Sequence, residues 1–147
     1  RNHLEEVEKL AEKINLRFQK GSYRPILFME EHHDQKKIFD FYRMADFCLV
    51  SSLHDGMNLV AKEFVSARED EEGVLILSRF TGASHEFSSA LLINPYDIEG
   101  TAEAIHQALT MLPGEKKERM RKMRQIVREY NVYRWAADMI TWLVRSF

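Results

Sequence analysis

Four short apolar runs constrain this chain more than any other feature. They are residues 24–29 (RPILFM), 47–50 (FCLV), 74–77 (VLIL) and 90–93 (ALLI). The last three are rich in Leu, Ile and Val and lack the polar alternation of a half-exposed strand, which is the pattern of strands covered on both faces. Segments with helical spacing lie between them. Residues 3–19 repeat Leu4, Val7, Leu10, Ala11, Ile14 and Phe18 at that spacing. Residues 35–45 place Ile38, Phe39, Tyr42 and Ala45 on one face, and residues 59–68 predict a third helix. A turn at 81–84 leads to a short helix near 85–87, and from Glu99 onward only helices are expected, over 102–112, 115–130 and 133 to the end. Short buried strands alternating with helices predict an α/β, Rossmann-like, doubly wound domain, its sheet mostly parallel, with helices on both faces and a helical C-terminus.

Length and composition fit that reading. The 147 residues are 45% hydrophobic and 30% charged with 6 Gly and 3 Pro, enough for one domain over residues 1–147 and unlike a disordered or collagen-like chain. A formal charge of -2 gives no basic footprint for nucleic acid. No apolar run approaches the roughly 20 residues of a membrane helix. A lone cysteine cannot close an internal disulfide, which favours a reducing, cytoplasmic setting. The chain starts on Arg1 rather than Met and is expected to be part of a longer protein.

In such folds ligands gather beyond the carboxyl ends of the strands, so the loops at 30–35, 51–58, 78–86 and 94–99 are the places to look. The second reads Ser51-Ser52-Leu53-His54-Asp55-Gly56-Met57-Asn58 and runs directly into a helix. Gly56 suits a sharp turn and Asn58 an N-cap. The free amides of the following turn, with the helix dipole, make an anion site suited to phosphate. Asp55 at its mouth can accept from sugar hydroxyls, and Glu63, one turn after Leu59, can take both hydroxyls of a ribose. The plain alternative is a turn at Asp55-Gly56 and a solvated Glu63; spacing alone leaves both open.

Residues 45–46 (Ala-Asp), 49–50 (Leu-Val) and the nine-residue run 55–63 (DGMNLVAKE) resemble the donor-site signature of trehalose-6-phosphate synthases. Residues 74–78 (VLILS), 80–83 (FTGA), Glu86 and 90–97 (ALLINPYD) extend the likeness over nearly the whole chain. The resemblance implies the C-terminal, nucleotide-sugar-binding half of a retaining, two-domain GT-B glycosyltransferase. Asp55 would be the catalytic-site residue holding hydroxyls of the donor glucose, with the amides of Gly56, Met57 and Asn58 on the same sugar. The amides of Leu59 and Val60 would meet the diphosphate, Glu63 the ribose, and the backbone near Ile38 the uracil. The implied reaction moves glucose from a nucleotide sugar, UDP-glucose, to glucose 6-phosphate, without a cofactor, an obligatory metal or an established protein nucleophile. Glycerol 3-phosphate as acceptor and a non-catalytic nucleotide-sugar-binding regulatory module are the alternatives. A receiver-like signalling module is disfavoured, because the run 47–50 ends in Ser51-Ser52 with no Asp.

The family usually has Arg where His54 stands and Thr-Pro where Ser51-Ser52 stands. Its diphosphate-clamping Arg and Lys, and its acceptor domain, lie upstream of Arg1, so the chain alone is expected to be inactive in transfer. Its last helix is expected to show one apolar stripe (Val132, Ala136, Met139, Leu143) and a second surface (Trp135, Trp142, Phe147) that favours self-association.

Other motifs have plainer readings. His32-His33 among acidic residues lacks further ligands at metal spacing. Cys48 reads as core, Glu86 as a loop buttress, and the Lys/Arg run 116–124, interleaved with Glu115 and Glu118, as a solvated helix face.

Overall fold

The computed structural model describes residues 2–146, apart from the side chains of Asn2 and Val132. The chain forms two compact units, Arg1–Asp34 and Gln35–Phe147.

The first unit is α1 (Asn2–Phe18) and an irregular tail. Of the apolar positions that define the helix, Ala11 is buried and Ile14 half-buried, while Leu4, Val7, Leu10 and Phe18 are exposed. The strand expected at residues 24–29 does not form. No strand pairs with it among the described residues. Instead the Asn15 side chain imitates a strand neighbour: its Nδ2 donates to the Ile26 carbonyl at 2.9 Å and its Oδ1 accepts from the Ile26 N–H at 2.8 Å. An apolar run with one residue satisfied in this way stays irregular, and Leu27 and Met29 remain exposed.

The second unit runs α2 (Gln35–Met44), β1 (Phe47–Val50), α3 (Leu59–Ala67), β2 (Val74–Ser78), α4 (Ala83–Glu86), β3 (Leu91–Ile93), α5 (Ile98–Thr110), α6 (Pro113–Glu129) and α7 (Val132–Arg145). The three strands are parallel in the order β1-β2-β3, with Phe47 opposite Val74 and Ile76 opposite Leu91. β2 lies in the middle and all five of its residues are buried. Its side chains alternate between two cores, as a period of two requires. Leu75 and Leu77 pack with Phe64 and Val65 of α3 and with Met120 and Met123 of α6. Val74 and Ile76 pack with Ala104 and Ala108 of α5. Helices therefore cover both faces of a parallel sheet, the doubly wound arrangement the apolar runs predict. Each large side chain fully buried there contributes about 1.5–3 kcal/mol.

Caps fix where the helices start. The Asp97 carboxylate accepts from Gly100 N–H at 3.0 Å before α5, and Pro113 opens α6. Asn131 accepts from the amides of Tyr133 and Arg134 at the start of α7. The expected division of α7 into a packed stripe and one exposed surface does not hold. Ala136 is half-buried, but Met139 and Leu143 are exposed along with Trp135 and Trp142. Phe147 and the Val132 side chain lie outside the described residues. Apolar spacing marks the faces that need cover, and the described part of the chain supplies cover for only one residue of the stripe.

Candidate functional site

Two loops at the carboxyl edge of the sheet are sewn together. Asp55 N–H donates to the Phe80 carbonyl (3.2 Å), Gly82 N–H to the Asp55 carbonyl (3.1 Å) and Ala83 N–H to the Met57 carbonyl (3.1 Å). The seam is tight enough that a Cβ on Gly82 would stand 1.8 Å from the Gly56 oxygen. The β2–α4 loop is also braced internally. Thr81 Oγ1 donates to the Ser78 carbonyl at 2.9 Å, and Ser84 Oγ donates to the Thr81 carbonyl at 2.6 Å.

Within this frame Asp55 and Asn58 shape the entrance to α3. Asp55 Oδ1 accepts from Asn58 N–H at 3.0 Å and its Oδ2 from Asn58 Nδ2 at 2.9 Å. Asn58 is held in the left-handed region, φ 63° and ψ 83°, a conformation Asn tolerates better than most residues. From there its Oδ1 caps α3 by accepting from Ala61 N–H at 2.9 Å. The N-cap expected at Asn58 is present. The chain does bend at Gly56 and Met57, but the positive φ belongs to Asn58 rather than to Gly56. What Gly56 provides is room: a Cβ there would meet no atom within 4 Å. By helix geometry the amides of Leu59 and Val60 have no acceptor inside α3. Both side chains are exposed and the first turn carries no acid, so this helix start is free to meet an anion.

Glu63 lies one turn further along α3 and faces α2. Tyr42 Oη donates to its Oε2 at 3.4 Å. Burial, and then the charge of Glu63, push the Tyr42 phenol up to about 12. Ile38 precedes Tyr42 by four residues and so shares its face of α2. Asp55 to Val60 are thus grouped at the start of α3, Glu63 contacts α2 through Tyr42, and Ile38 lies one turn before Tyr42 on α2.

Three residues of this region escape sequence reading. Gly82 is one, through the contact just described. Lys62 is another: it holds both carboxylate oxygens of Glu86 at 2.9 Å, tying α3 to α4. Glu86 accordingly buttresses the loop. The third is Arg68, buried although charged. Its Nη1 donates to the carbonyls of Tyr42, Arg43 and Ala45 and so closes the carboxyl end of α2, while Asp70 binds the rest of the guanidinium. An Arg after an apolar helix gives no signal of such a role in sequence. A cavity of about 740 Å³ borders the loop, lined in part by Met57, Leu59, Lys62, Glu86, Tyr130 and Trp135.

The plainer motifs can also be placed. Among the described residues no three His, Cys, Asp or Glu side chains group as a metal ion would need. None of the described helices is long and apolar enough to cross a membrane. Burial pushes the Cys48 thiol up to about 11, and its side chain packs against the core. Four basic residues of α6 are ion-paired, Lys117 with Glu72, Arg119 with Glu115, Arg121 with Glu71 and Lys122 with Glu118.

A parallel sheet with helices on both faces, its loops joined at the carboxyl edge, defines a doubly wound α/β domain. The comparison with known proteins is more specific: the glycosyltransferase family 20 profile matches residues 1–145, and the chain belongs to that family. It is 40% identical over 136 residues to a trehalose-6-phosphate synthase of Klebsiella pneumoniae, covering 92% of this chain and 29% of that one. It is 41% identical over 140 residues to a glucosylglycerol-phosphate synthase of Synechocystis, covering 95% and 28% respectively. Among solved structures, a UDP-forming α,α-trehalose-phosphate synthase from Burkholderia xenovorans in complex with glucose-6-phosphate superposes with a TM-score of 0.89 at 42% identity. That match covers 92% of this chain and 30% of that one. The chain thus spans under a third of the length of the relatives it matches.

Proposed function

We propose that this chain supplies the nucleotide-sugar-binding half of a retaining GT-B glycosyltransferase that transfers glucose from UDP-glucose to glucose 6-phosphate, giving trehalose 6-phosphate. The observation that carries the reading is the start of α3, where Asp55 fixes Asn58 and two helix amides stay open to a diphosphate. The likeness to a UDP-forming enzyme complexed with glucose-6-phosphate supports the choice of donor and acceptor.

In this reading the amides of Leu59 and Val60 meet the diphosphate and the carboxylate of Glu63 takes the ribose hydroxyls. The α2 backbone at Ile38 reads the uracil. The glucose lies over Gly56, where no side chain stands, against the amide of Met57; the Asn58 N–H, expected on the same sugar, is given to Asp55 instead. Each Asp55 oxygen already accepts one hydrogen bond from Asn58 and keeps a further lone pair for a sugar hydroxyl. Catalysis comes from positioning and from stabilising the charge that develops on the leaving diphosphate. No side chain here is assigned as a nucleophile. The setting is cytoplasmic. The acceptor pocket and the cationic clamp belong to the part of the relatives that this chain does not span, so the chain alone binds donor without transferring it. Self-association through the exposed α7 accompanies that state.

A calorimetric screen of UDP-glucose, GDP-glucose and ADP-glucose against the chain tests the proposal. Selective heat with UDP-glucose is expected, and no binding of any of the three refutes it. Replacing glucose 6-phosphate by glycerol 3-phosphate in a UDP-release assay on a protein that includes the acceptor domain separates the two acceptors.

A further inference from the structure

Glu63, the carboxylate assigned to the ribose, depends on α2 for its orientation. Two vicinal hydroxyls can be accepted together only if the carboxyl plane is held in one attitude, and a glutamate on a helix surface has three rotors to freeze. Tyr42 Oη reaches Glu63 Oε2 at 3.4 Å. The tyrosine ring is itself fixed. It meets Phe39 edge-on at 5.9 Å and Phe64 at 6.1 Å between centroids, and Phe64 is fully buried. The backbone beneath the ring is fixed as well. Arg68 Nη1 donates to the Tyr42 carbonyl at 3.2 Å and to that of Arg43 at 2.7 Å. Asp70 orients the guanidinium through Nε at 3.0 Å and Nη2 at 2.9 Å. These carbonyls end α2 and have no helix amide to accept from, so a buried cation is well placed there. Contacts therefore run without a break from Asp70 through Arg68 and Tyr42 to Glu63.

We propose that Tyr42 is a positioning residue for nucleoside recognition, holding the Glu63 carboxylate in the attitude that accepts the ribose hydroxyls, with Arg68 anchoring the helix turn that carries it. The inference rests on the reading of the α3 start as a nucleotide-sugar site. The Tyr42 bond uses one lone pair of Oε2 and leaves the other carboxylate lone pairs for ligand. Its gain is preorganisation: less side-chain freedom is lost when the ribose arrives. The bond is long for O–H···O, which places the effect at the low end of the usual range. A phenol is protonated at neutral pH, hence a donor, and burial holds this one so further into alkali.

The test is calorimetry of the chain with UDP, 2′-deoxy-UDP and inorganic diphosphate. Tyr42→Phe keeps the ring packing and deletes only the hydroxyl. It is expected to weaken UDP about two- to fivefold, to narrow the preference for UDP over 2′-deoxy-UDP, and to leave diphosphate unchanged. Arg68→Lys keeps a cation but loses the fork, and the same selective loss is expected. Should Arg68→Lys fail to fold, Tyr42→Phe decides alone. Unchanged UDP affinity and preference in Tyr42→Phe, or equal losses for UDP and diphosphate, overturn the inference while the site reading stands. If the unsubstituted chain binds UDP no better than diphosphate, the nucleoside half of the site reading falls and the inference falls with it.

Discussion

Replacing Gly82 by Ala sets two physical arguments against each other. The backbone at Gly82 is right-handed helical, φ -60° and ψ -36°. Alanine adopts that conformation freely, and by lowering the entropy of the unfolded chain it would stabilise by about 0.4–1 kcal/mol. Sterics point the other way. The new Cβ would lie 1.8 Å from the Gly56 oxygen, whereas real Cβ contacts essentially never fall below 3.0 Å, so the loops must part by at least about 1.2 Å. Three backbone hydrogen bonds of 3.1–3.2 Å cross that seam, and such an opening carries them beyond bonding distance. At about 0.5–1.5 kcal/mol each, losing all three costs roughly 1.5–4.5 kcal/mol, more than the entropic gain. Urea denaturation at constant slope reads this directly. A second readout is diphosphate affinity, expected to fall because the seam holds Asp55, and through it Asn58, at the start of α3. A Gly82→Ala chain within about 0.5 kcal/mol of the parent, with unchanged diphosphate affinity, would refute the steric argument.

Three further outcomes are expected. Asp55→Ala removes both acceptors that hold Asn58 left-handed, so it should lower stability by about 2 kcal/mol as well as weaken diphosphate; urea melts with calorimetry check both. Stability should fall in alkali: Cys48 (raised from 9.0 to about 11) and Tyr42 (raised from 10.0 to about 12) hold their protons more tightly folded than unfolded. Their contribution is thus complete below pH 9 and lost between about pH 9 and 12, as urea midpoints across that range would show. In the first unit, Asn15→Leu removes both hydrogen bonds to Ile26 and should speed amide exchange at Ile26 well above that in the middle of α1.

How far the sequence discloses this molecule depends on whether a feature is local. The run 74–77 is legible because every side chain is apolar, and only a strand covered on both faces needs that; β2 is such a strand. Residues 25–29, after Arg24, are also apolar, yet a strand also needs a partner. Asn15 meets only the backbone of Ile26, and nothing in the run itself discloses that. The same gap explains α7, where the stripe is real and its cover is not among the described residues. At the site, Asn58 is legible because a cap acts on its own helix three residues on.

Gly82, Arg68 and Tyr42 act across the fold, and composition alone does not reveal them. The glycine is required by a carbonyl 26 residues earlier in the chain, and the arginine by carbonyls more than 20 residues away. This division has a consequence for mutagenesis. Apart from Ile38 on α2, the residues expected to touch the ligand sit in the loop before α3 and on the first two turns of that helix. The groups that hold them in place come from the β2–α4 loop and from α2. A survey confined to the 55–63 run would therefore miss the supports, and loss of a support should appear as weaker ligand binding with the contact residues all intact. Comparing diphosphate with UDP tells the two supports apart, since in the proposed reading the Gly82 seam underlies the phosphate end of the site and the Arg68–Tyr42 contacts the ribose end.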